Sequence, residues 1–241
     1  MSQPSNSLPV AWITGAAGGL GQALVAAFAG QGWRVAATHH RAAAHAESEN
    51  LWPLACDVTD RAQVNEVAEK ILARWGRLDV LVNNAGVTAD GLSWQLTEAQ
   101  WDQVLAVNLD GAFLCSQAAS RPMIRQRDGQ IVNVASFAAR SGRAGQSNYA
   151  AAKAGLIGLT EALAHELGSR NVRVNAILPG VLPTAMTAKL SAAQLAELTA
   201  ANALGRLNDV TEVAQFVTAL ASLRNVSGQV FQLDSRVGRW T

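Results

Sequence analysis

The sequence predicts one α/β domain that is doubly wound, with a central parallel sheet of about seven strands flanked by helices. Short runs of β-branched residues alternate with longer alanine-rich stretches of helical periodicity, which is typical of βαβ units. Glycines cluster directly after the first of these runs, where a strand would turn sharply into a helix. The 241 residues show no repeats or linkers, and α/β domains often reach this length as a single unit.

Each element follows from its local pattern. An apolar run predicts a first strand at Val10–Thr14, and a helix follows over about Leu20–Gln31. Further strands are predicted at Arg34–Thr38, Leu54–Cys56, Leu78–Asn83, Ile131–Ala135, Val172–Ile177 and Gln229–Leu233. Further helices are predicted at Asp60–Trp75, Glu98–Arg127 with an internal break, Tyr149–Gly168 and Val210–Leu223. Residues 1–8 are expected to form a flexible N-terminus, and Thr184–Ala200 a small helical insertion that acts as a lid over substrate.

Composition excludes several classes of protein. The net charge of +1 offers no basic surface for nucleic acid or for a membrane. Cys56 and Cys115 lie in apolar segments without CxxC spacing, so two reduced core cysteines are expected. Residues 1–9 are polar and unlike a signal peptide, and no apolar run is long enough to span a membrane. We therefore expect a cytoplasmic protein.

The glycine cluster predicts a dinucleotide-binding, Rossmann-type domain over the whole chain. Glycines let the backbone turn tightly and approach a pyrophosphate that rests on a helix N-terminus. The spacing here is GxxxGxG rather than GxGxxG, and close packing of helix on strand is the alternative explanation. The residues expected to contact the cofactor in this loop are Gly15, Ala17, Gly18, Gly19, Leu20 and Gly21.

The end of the second strand predicts the type of cofactor. Enzymes that select NAD usually place a carboxylate there to bind the ribose 2′-hydroxyl. This chain has Thr38-His39-His40-Arg41, with no carboxylate before Glu47. A 2′-phosphate would meet Arg41 instead, with His39 and His40 as further candidates. We predict NADP(H), with NAD(H) as the alternative cofactor and a solvated surface turn as the alternative role for the segment.

The same histidines raise the question of a metal site. His45 follows His39 and His40 closely, but no carboxylate or cysteine completes a ligand set at a suitable spacing. No metal is expected.

A tyrosine and a lysine carry the predicted chemistry. Tyr149 is the only tyrosine of the chain, and Lys153, one of three lysines, lies four residues later on the same face of a helix. A free phenol has a pKa of about 10, and a nearby positive charge lowers it. The pair therefore predicts an acid–base catalyst.

Ser136 directly follows the predicted strand Ile131–Ala135. Doubly wound sheets bind ligands at the carboxyl ends of their strands, where a hydroxyl can bind a substrate carbonyl oxygen. The alternative is a serine that caps a turn.

Taken together, the motifs resemble those of the short-chain dehydrogenases/reductases over about residues 8–234. The matching segments are Thr14–Gly21, Asn83–Gly86, Asn108, Ser136, Tyr149-x-x-x-Lys153 and Pro179-Gly180. The resemblance implies that Tyr149 is the general acid in reduction, that Lys153 binds the nicotinamide ribose and lowers the tyrosine pKa, and that Ser136 orients the carbonyl. It also implies that Asn108 holds a water in a proton relay.

The resemblance further implies cofactor contacts outside the glycine loop. Asp57 would meet the adenine, Asn84 and Gly86 the ribose, and Thr184 the carboxamide or the phosphates. The remaining expected contacts are Thr38, Val58, Ala85, Pro179, Gly180 and Val181.

Within this family, three segments are similar to the reductases of 3-oxoacyl groups carried on acyl carrier protein. They are Leu81–Leu92, Gly145–Leu159 and Leu204–Leu207. The resemblance implies NADPH-dependent reduction of a 3-oxoacyl thioester of the carrier protein or of coenzyme A, a reaction of fatty acid biosynthesis. Arg127 and Arg170 fall where these reductases present positive charge to the carrier protein, beside the mouth of the active site. The alternative is a pair of ordinary cations at helix ends.

Some features depart from that subgroup. Gly18 stands where these reductases carry an arginine for the 2′-phosphate, and Gln232–Arg236 stands where they continue into a glycine pair. Two alternative functions are therefore kept: a reductase or dehydrogenase of another carbonyl or alcohol, such as a sugar, steroid or polyketide-like compound, and a cofactor-binding protein without catalysis. By resemblance we expect a homotetramer. Trp94 is expected to pack against the following helix or to line the pocket.

Overall fold

Seven parallel strands form one central sheet in the order β3-β2-β1-β4-β5-β6-β7 in the computed structural model, which describes residues 8–41, 44–184, 187–188 and 190–237. The strands are β1 Val10–Ile13, β2 Arg34–His39, β3 Leu51–Ala55, β4 Val80–Asn83, β5 Gly129–Val134, β6 Val172–Leu178 and β7 Val230–Gln232. The helices are α1 Gly19–Gly30, α2 Arg61–Trp75, α3 Glu98–Leu105, α4 Gly111–Gln126, α5 Ala138–Ser141, α6 Ser147–Gly168, α7 Ala192–Ala200 and α8 Val210–Ser222. The predicted fold class is confirmed.

The strand order reverses at β1, which pairs with β2 on one side and with β4 on the other. In doubly wound sheets ligands bind beside such a switch point, at the carboxyl ends of the strands. The sheet topology therefore places the candidate site at the edge where β1, β4 and β5 end.

Both faces of the sheet are buried, because successive side chains of a strand point to opposite sides. Trp12 packs on one face with Ile71 of α2 and Met123 of α4. Its neighbour Ile13 packs on the other face with Phe28 of α1 and with α8. The rigid three-layer core holds the loops that follow the strands.

The break predicted within Glu98–Arg127 is a π-helical segment, Ala106–Asp110, between α3 and α4. Asn108 lies in this segment, and its side-chain amide donates a hydrogen bond of 2.9 Å to the carbonyl oxygen of Val104 one turn earlier. Single π turns often occur at functional sites because they redirect a side chain. The local widening presents Asn108 to the interior, where it is 1% exposed.

Some element boundaries differ from those predicted. The third strand begins at Leu51 and includes Pro53, which is tolerated because β3 is an edge strand that pairs only with β2. Among the described residues of the segment 184–200, only α7 is helical, and Ser191 caps it by accepting a hydrogen bond from the backbone N–H of Gln194. Residues 1–7, most of the predicted N-terminal segment, lie outside the described part of the chain, as do residues 185, 186 and 189 of the insertion. No helix in the described ranges is long and apolar enough to cross a membrane.

Candidate active site

A cleft of about 820 Å³ opens at the carboxyl edge of the sheet. Its inner wall is formed by the glycine loop after β1 and by the segments that follow β4, β5 and β6, and α7 closes its outer side. The predicted site residues that line it are Gly15, Ala17, Gly18, Gly19, Leu20, Gly21, His40, Arg41, Asn84, Gly86, Ser136, Tyr149, Lys153, Pro179, Gly180, Val181 and Thr184.

The glycine loop forms a tight cradle at the N-terminus of α1. Gly15 has φ +62°, and Gly18 provides the N-cap of α1 without any side-chain hydrogen bond to the first turn. A Cβ on Gly21 would overlap the carbonyl oxygen of Gly15 and lie 2.8 Å from the Cα of Ala16. A Cβ on Gly19 would lie 2.8 Å from Cγ2 of Thr184, across the cleft. Uncapped N–H groups at a helix start suit a pyrophosphate, so the cradle fits the cofactor.

Basic side chains line the cleft at the end of β2. His40 and Arg41 both face it, and the Nε2 atom of His40 lies 3.5 Å from Oδ2 of Asp57. Burial raises the pKa of Asp57, but hydrogen bonds from Thr59 and the charge of His40 outweigh burial, so this pKa lies below its usual value. His45 lies with Nε2 3.2 Å from the carbonyl oxygen of Ala16 and so contacts the glycine loop. In the described ranges, no group of three histidine, cysteine or acidic side chains could hold a metal ion.

Five of the residues predicted to bind the cofactor or to act in catalysis do not line the cleft: Thr38, Asp57, Val58, Ala85 and Asn108. Thr38 is buried, where its hydroxyl accepts from Nε1 of Trp12 and donates to the carbonyl oxygen of Ile13. Ala85 donates its backbone N–H to the Thr14 hydroxyl. Thr38 and Ala85 therefore support the walls of the site from behind.

Ser136, Tyr149 and Lys153 are brought together where β5 ends and α6 begins. Lys153 is buried and donates from Nζ to the carbonyl oxygen of Val134 at 2.8 Å. The same Nζ lies 5.7 Å from the centre of the Tyr149 ring. The Ser136 side chain hydrogen-bonds with that of Tyr149 and also accepts from the N–H of Ala138 at 3.2 Å. Ser136 therefore caps a turn and also faces the phenol of Tyr149. Its binding of a substrate carbonyl stays a prediction.

Asn108 lies behind this group. Its side-chain amide nitrogen donates to the carbonyl oxygens of Val87 and Val104 at 2.8 and 2.9 Å. Its Oδ1 is buried and has no hydrogen-bond partner among the described residues. A Cβ on Gly86 would lie 2.7 Å from this oxygen and 3.7 Å from Nζ of Lys153. A buried free acceptor next to an ammonium group is a suitable place for a hydrogen-bond donor such as water.

Burial has the largest effect on the pKa values of Lys153 and Tyr149. It lowers the pKa of Lys153 to about 8. Burial also raises the pKa of Tyr149, the hydrogen bond with Ser136 opposes this, and the carboxylate of Asp90 adds to it. The pKa of Tyr149 thus lies above its usual value, because removal of the phenolate from water has the largest effect. The lowering of this pKa by Lys153 stays a prediction.

The lowered pKa of Lys153 predicts a stability cost. Its folded-state pKa of about 8 lies below the usual 10.5, so the ammonium destabilises the fold below about pH 8, and this cost disappears as the pH rises to about 10.5. A shift of this size corresponds to about 3 kcal/mol at most. We expect Lys153→Met to raise the Tm of the ligand-free protein at neutral pH, by less than this because the bond to Val134 is lost. Thermal denaturation at several pH values measures the effect.

A matched control for this measurement is Lys70→Met. Lys70 is exposed and pairs with Glu66 one turn away, an interaction of small energy. Its removal should leave the Tm nearly unchanged at every pH. A Tm of Lys153→Met below that of the wild type at neutral pH would contradict the prediction.

The outer cleft contains residues that the sequence reasoning did not single out. They are Thr88, Asp90, Val134, Ala135, Arg143, Ala144, Gln146, Leu182, Thr187, Leu190, Gln194 and Leu198. Asp90 and Gln146 join two loops, since Nε2 of Gln146 donates to both carboxylate oxygens at 3.3 and 3.2 Å. Several residues of this list lie close in the chain to Ser136 and Tyr149 or to the Asn83–Gly86 motif, and this proximity could have indicated them.

The C-terminal segment after β7 closes the site from behind. Asp234 packs against Gly180, where φ is +78° and a Cβ would lie 2.7 Å from that of Asp234. Arg236 pairs with Asp234 and places its guanidinium 3.8 Å from the centre of the Phe137 ring, next to Ser136. Ser235 accepts hydrogen bonds from the N–H groups of Ala203 and Leu204, just after α7. This segment replaces the glycine pair that the sequence lacks.

Arg127, Arg170 and Trp94 lie in other places than the sequence analysis predicted. Arg127 follows α4 and precedes β5, and Arg170 follows α6 and precedes β6. Because β5 and β6 run parallel toward the cleft, both arginines lie at the opposite, amino edge of the sheet, and the expected place beside the mouth is wrong within one chain. Trp94 is 78% exposed and thus neither lines the cleft nor packs against a helix.

The fold and the site together define a dinucleotide-binding α/β protein with Tyr149 and Lys153 side by side at the carboxyl edge of its sheet. A sequence profile of the short-chain dehydrogenases matches residues 9–195. The chain is 44% identical over 235 residues to the 3-oxoacyl-(acyl-carrier-protein) reductase of Thermotoga maritima, covering 93% of this chain and 96% of that one. It is 40% identical over 218 residues to the reductase of the same name from Escherichia coli, covering 88% and 89%, and 35% identical over 234 residues to that of Synechocystis, covering 93% and 95%.

The chain belongs to the short-chain dehydrogenase family. It is an oxidoreductase that acts on a carbonyl or hydroxyl group with a nicotinamide cofactor.

Proposed function

We propose that the chain reduces the 3-oxo group of an acyl thioester with NADPH, and that Tyr149 donates the proton. The observation that carries this proposal is the hydrogen bond between the side chains of Tyr149 and Ser136, with Lys153 buried beneath, in a cleft that begins at a glycine cradle. The names of the relatives described above support a 3-oxoacyl thioester as the substrate.

Several residues of the chain have separate roles in the proposed reaction. The cleft would hold a nicotinamide, whose chemistry would be the supply of a hydride to the carbonyl carbon. Ser136 donates a hydrogen bond from Oγ to the carbonyl oxygen and stabilises the negative charge that develops there. Tyr149 transfers the proton from its hydroxyl to that oxygen, since a protonated phenol is the form that its raised pKa favours.

Lys153 and Asn108 are proposed to restore the proton. Lys153 would bind ribose hydroxyls through Nζ, and the free Oδ1 of Asn108 would hold a water that links Nζ to solvent. The glycine loop would hold the phosphates, Thr184 the carboxamide or the phosphates, and Asn84 and Gly86 the ribose. Asp57, which lies 3.5 Å from His40, and Val58 would border the adenine from just outside the lining of the cleft. Pro179, Gly180 and Val181 would line the nicotinamide end.

The direct test of the proposed function is NADPH oxidation with acetoacetyl thioesters. Turnover well above that of the Tyr149→Phe variant is expected. No turnover above this background would overturn the proposal, and a panel of sugar, steroid and polyketide-like ketones would then identify the carbonyl that the site accepts.

The cofactor preference is proposed from the charges at the end of β2. Arg41 and His40 face the cleft, and the nearest carboxylate, Asp57, is already held by Thr59. We expect Arg41→Ala to lower kcat/KM with NADPH by about tenfold or more, because a hydrogen bond to a charged phosphate contributes about 1.5–3 kcal/mol. Steady-state kinetics with NADH on the same variant provides the control, since NADH has no 2′-phosphate. An equal loss with both cofactors would show that Arg41 does not read the phosphate.

The proposed partner and assembly follow the relatives. Arg127 and Arg170 are proposed to dock acyl carrier protein, which at the amino edge requires a second subunit to bring them to the mouth of a cleft. A homotetramer in the cytoplasm would supply such subunits, and the exposed Trp101 and Phe113 of α3 and α4 are available for contact. Sedimentation at micromolar concentration tests the assembly, and a monomer would contradict it.

A further inference from the structure

Arg143 lies in the outer part of the cleft and has no role in the proposed catalysis. It belongs to the loop between α5 and α6, on the same edge of the sheet as Ser136. Its side chain lines the cleft and the residue is exposed. Within the described ranges, no carboxylate lies at ion-pair distance from its guanidinium. Five N–H donors of fixed geometry are thus available to a ligand.

The loop that carries Arg143 is held in place by bonds that do not involve this side chain. The N–H of Gly91 donates to the carbonyl oxygen of Gly145 at 2.8 Å, and the N–H of Gln146 donates to that of Arg143 at 3.0 Å. Asp90, the acidic side chain that shares this wall, accepts from Gln146 instead of Arg143. The backbone position of Arg143 is therefore fixed while its charge stays unneutralised.

Among the residues that the structure describes, the side of the outer cleft that α7 faces carries no charge. Leu190, Gln194 and Leu198 form that side. A substrate whose carbonyl lies at Ser136 and Tyr149 would extend between α7 and the loop of Arg143, away from the cofactor cradle. Its distal part would meet the guanidinium of Arg143 near Leu190 and Leu198, and a guanidinium binds phosphate or carboxylate oxygens by paired hydrogen bonds.

We propose that Arg143 forms an anion-binding subsite that recognises a phosphate or carboxylate group on the substrate, distant from the reacting carbonyl. This rests on the proposed function, since the carbonyl position at Tyr149 sets the direction of the channel. Two sources of the anion fit the same chemistry: the phosphate of a phosphopantetheine arm, or a carboxylate at the end of the acyl chain.

The experiment compares substrates that differ only in the anion. Acetoacetyl-phosphopantetheine is compared with acetoacetyl-pantetheine, and 3-oxoacyl N-acetylcysteamine thioesters ending in a carboxylate are compared with those ending in a methyl group. In the wild type we expect a lower KM for the charged member of one pair, and this advantage should weaken with added salt. Arg143→Gln should remove most of the advantage, a rise of about tenfold or more in that KM, with kcat and the KM of the neutral partner unchanged.

The controls separate the subsite from net charge and from the function itself. Arg143→Lys should keep part of the preference, and Arg125→Gln, which removes a charge from the last turn of α4, should keep all of it. Preference for the phosphate pair or for the carboxylate pair identifies the source of the anion. If all thioesters are reduced with no preference for the charged member, or if Arg143→Gln keeps the preference, the anion subsite is overturned and the proposed function is not. Failure to reduce any thioester while another ketone is reduced overturns the proposed function first, and the charged and neutral forms of that ketone then test Arg143 in the same way.

Discussion

Replacing Tyr149 by phenylalanine is expected to lower kcat for carbonyl reduction by about 10²–10⁴-fold, the usual contribution of a positioned general acid. Phenylalanine keeps the ring that lies 5.7 Å from Nζ of Lys153, so the packing of α6 on β5 should survive. What is lost is the hydroxyl, which hydrogen-bonds with Ser136. Stopped-flow or steady-state absorbance of NADPH consumption measures the change, and fluorescence titration measures cofactor binding.

The variant Ser136→Ala tests the role of Ser136 separately from that of Tyr149. It keeps the phenol but removes its hydrogen-bond partner and the donor to the substrate oxygen. We expect a smaller loss of kcat than for Tyr149→Phe, with cofactor binding intact in both. Comparable activity of Tyr149→Phe and wild type would show that another group supplies the proton.

Replacing Gly21 by alanine is expected to disable the cofactor cradle. The added Cβ would overlap the carbonyl oxygen of Gly15 and press on the Cα of Ala16, both backbone atoms of the loop itself. Backbone cannot yield as a flexible side chain does, so the loop or α1 must move, at a cost of about 1–3 kcal/mol or more. We expect a lower Tm of the ligand-free protein and a corresponding loss of NADPH affinity.

Gly18→Ala is the matched control for this substitution. Gly18 has an ordinary φ of −75°, and a Cβ there would meet its nearest neighbour, the carbonyl oxygen of Gly15, at 3.5 Å. Alanine at this position should leave both the Tm and the Kd for NADPH near those of the wild type. If the two variants behaved alike, close backbone approach at Gly21 would not be what shapes the cradle.

The inner half of the site could be predicted from sequence because its residues are tied to local patterns. A glycine loop, a serine at a strand end, and a tyrosine and lysine one helical turn apart each have a spacing that reflects the chemistry. Residues after Gly15, Ser136 and Gly180 then meet because the carboxyl ends of parallel strands share one edge. Sequence order and sheet topology together were sufficient for this part.

The outer half could not be predicted in the same way. Asp90 and Gln146 are 56 positions apart and meet only because two loops pack side by side. The same limit explains Arg127 and Arg170, since a resemblance to positions of known reductases carries no information about the edge of the sheet on which a residue lies. The raised pKa of Tyr149 also could not be predicted, because burial is a property of the packed site and not of the four-residue spacing of Tyr149 and Lys153.

The C-terminal segment links α7 to the candidate site in a way that can be measured. The N–H groups of Ala203 and Leu204 at the exit of α7 both donate to Ser235, whose neighbours Asp234 and Arg236 contact Gly180 and Phe137. These two amides can exchange with solvent deuterium only when the segment releases them. Their exchange rates, read by mass spectrometry, thus report how often the back wall of the site opens. Arg236→Ala should raise those rates while the amides of the central strands keep theirs.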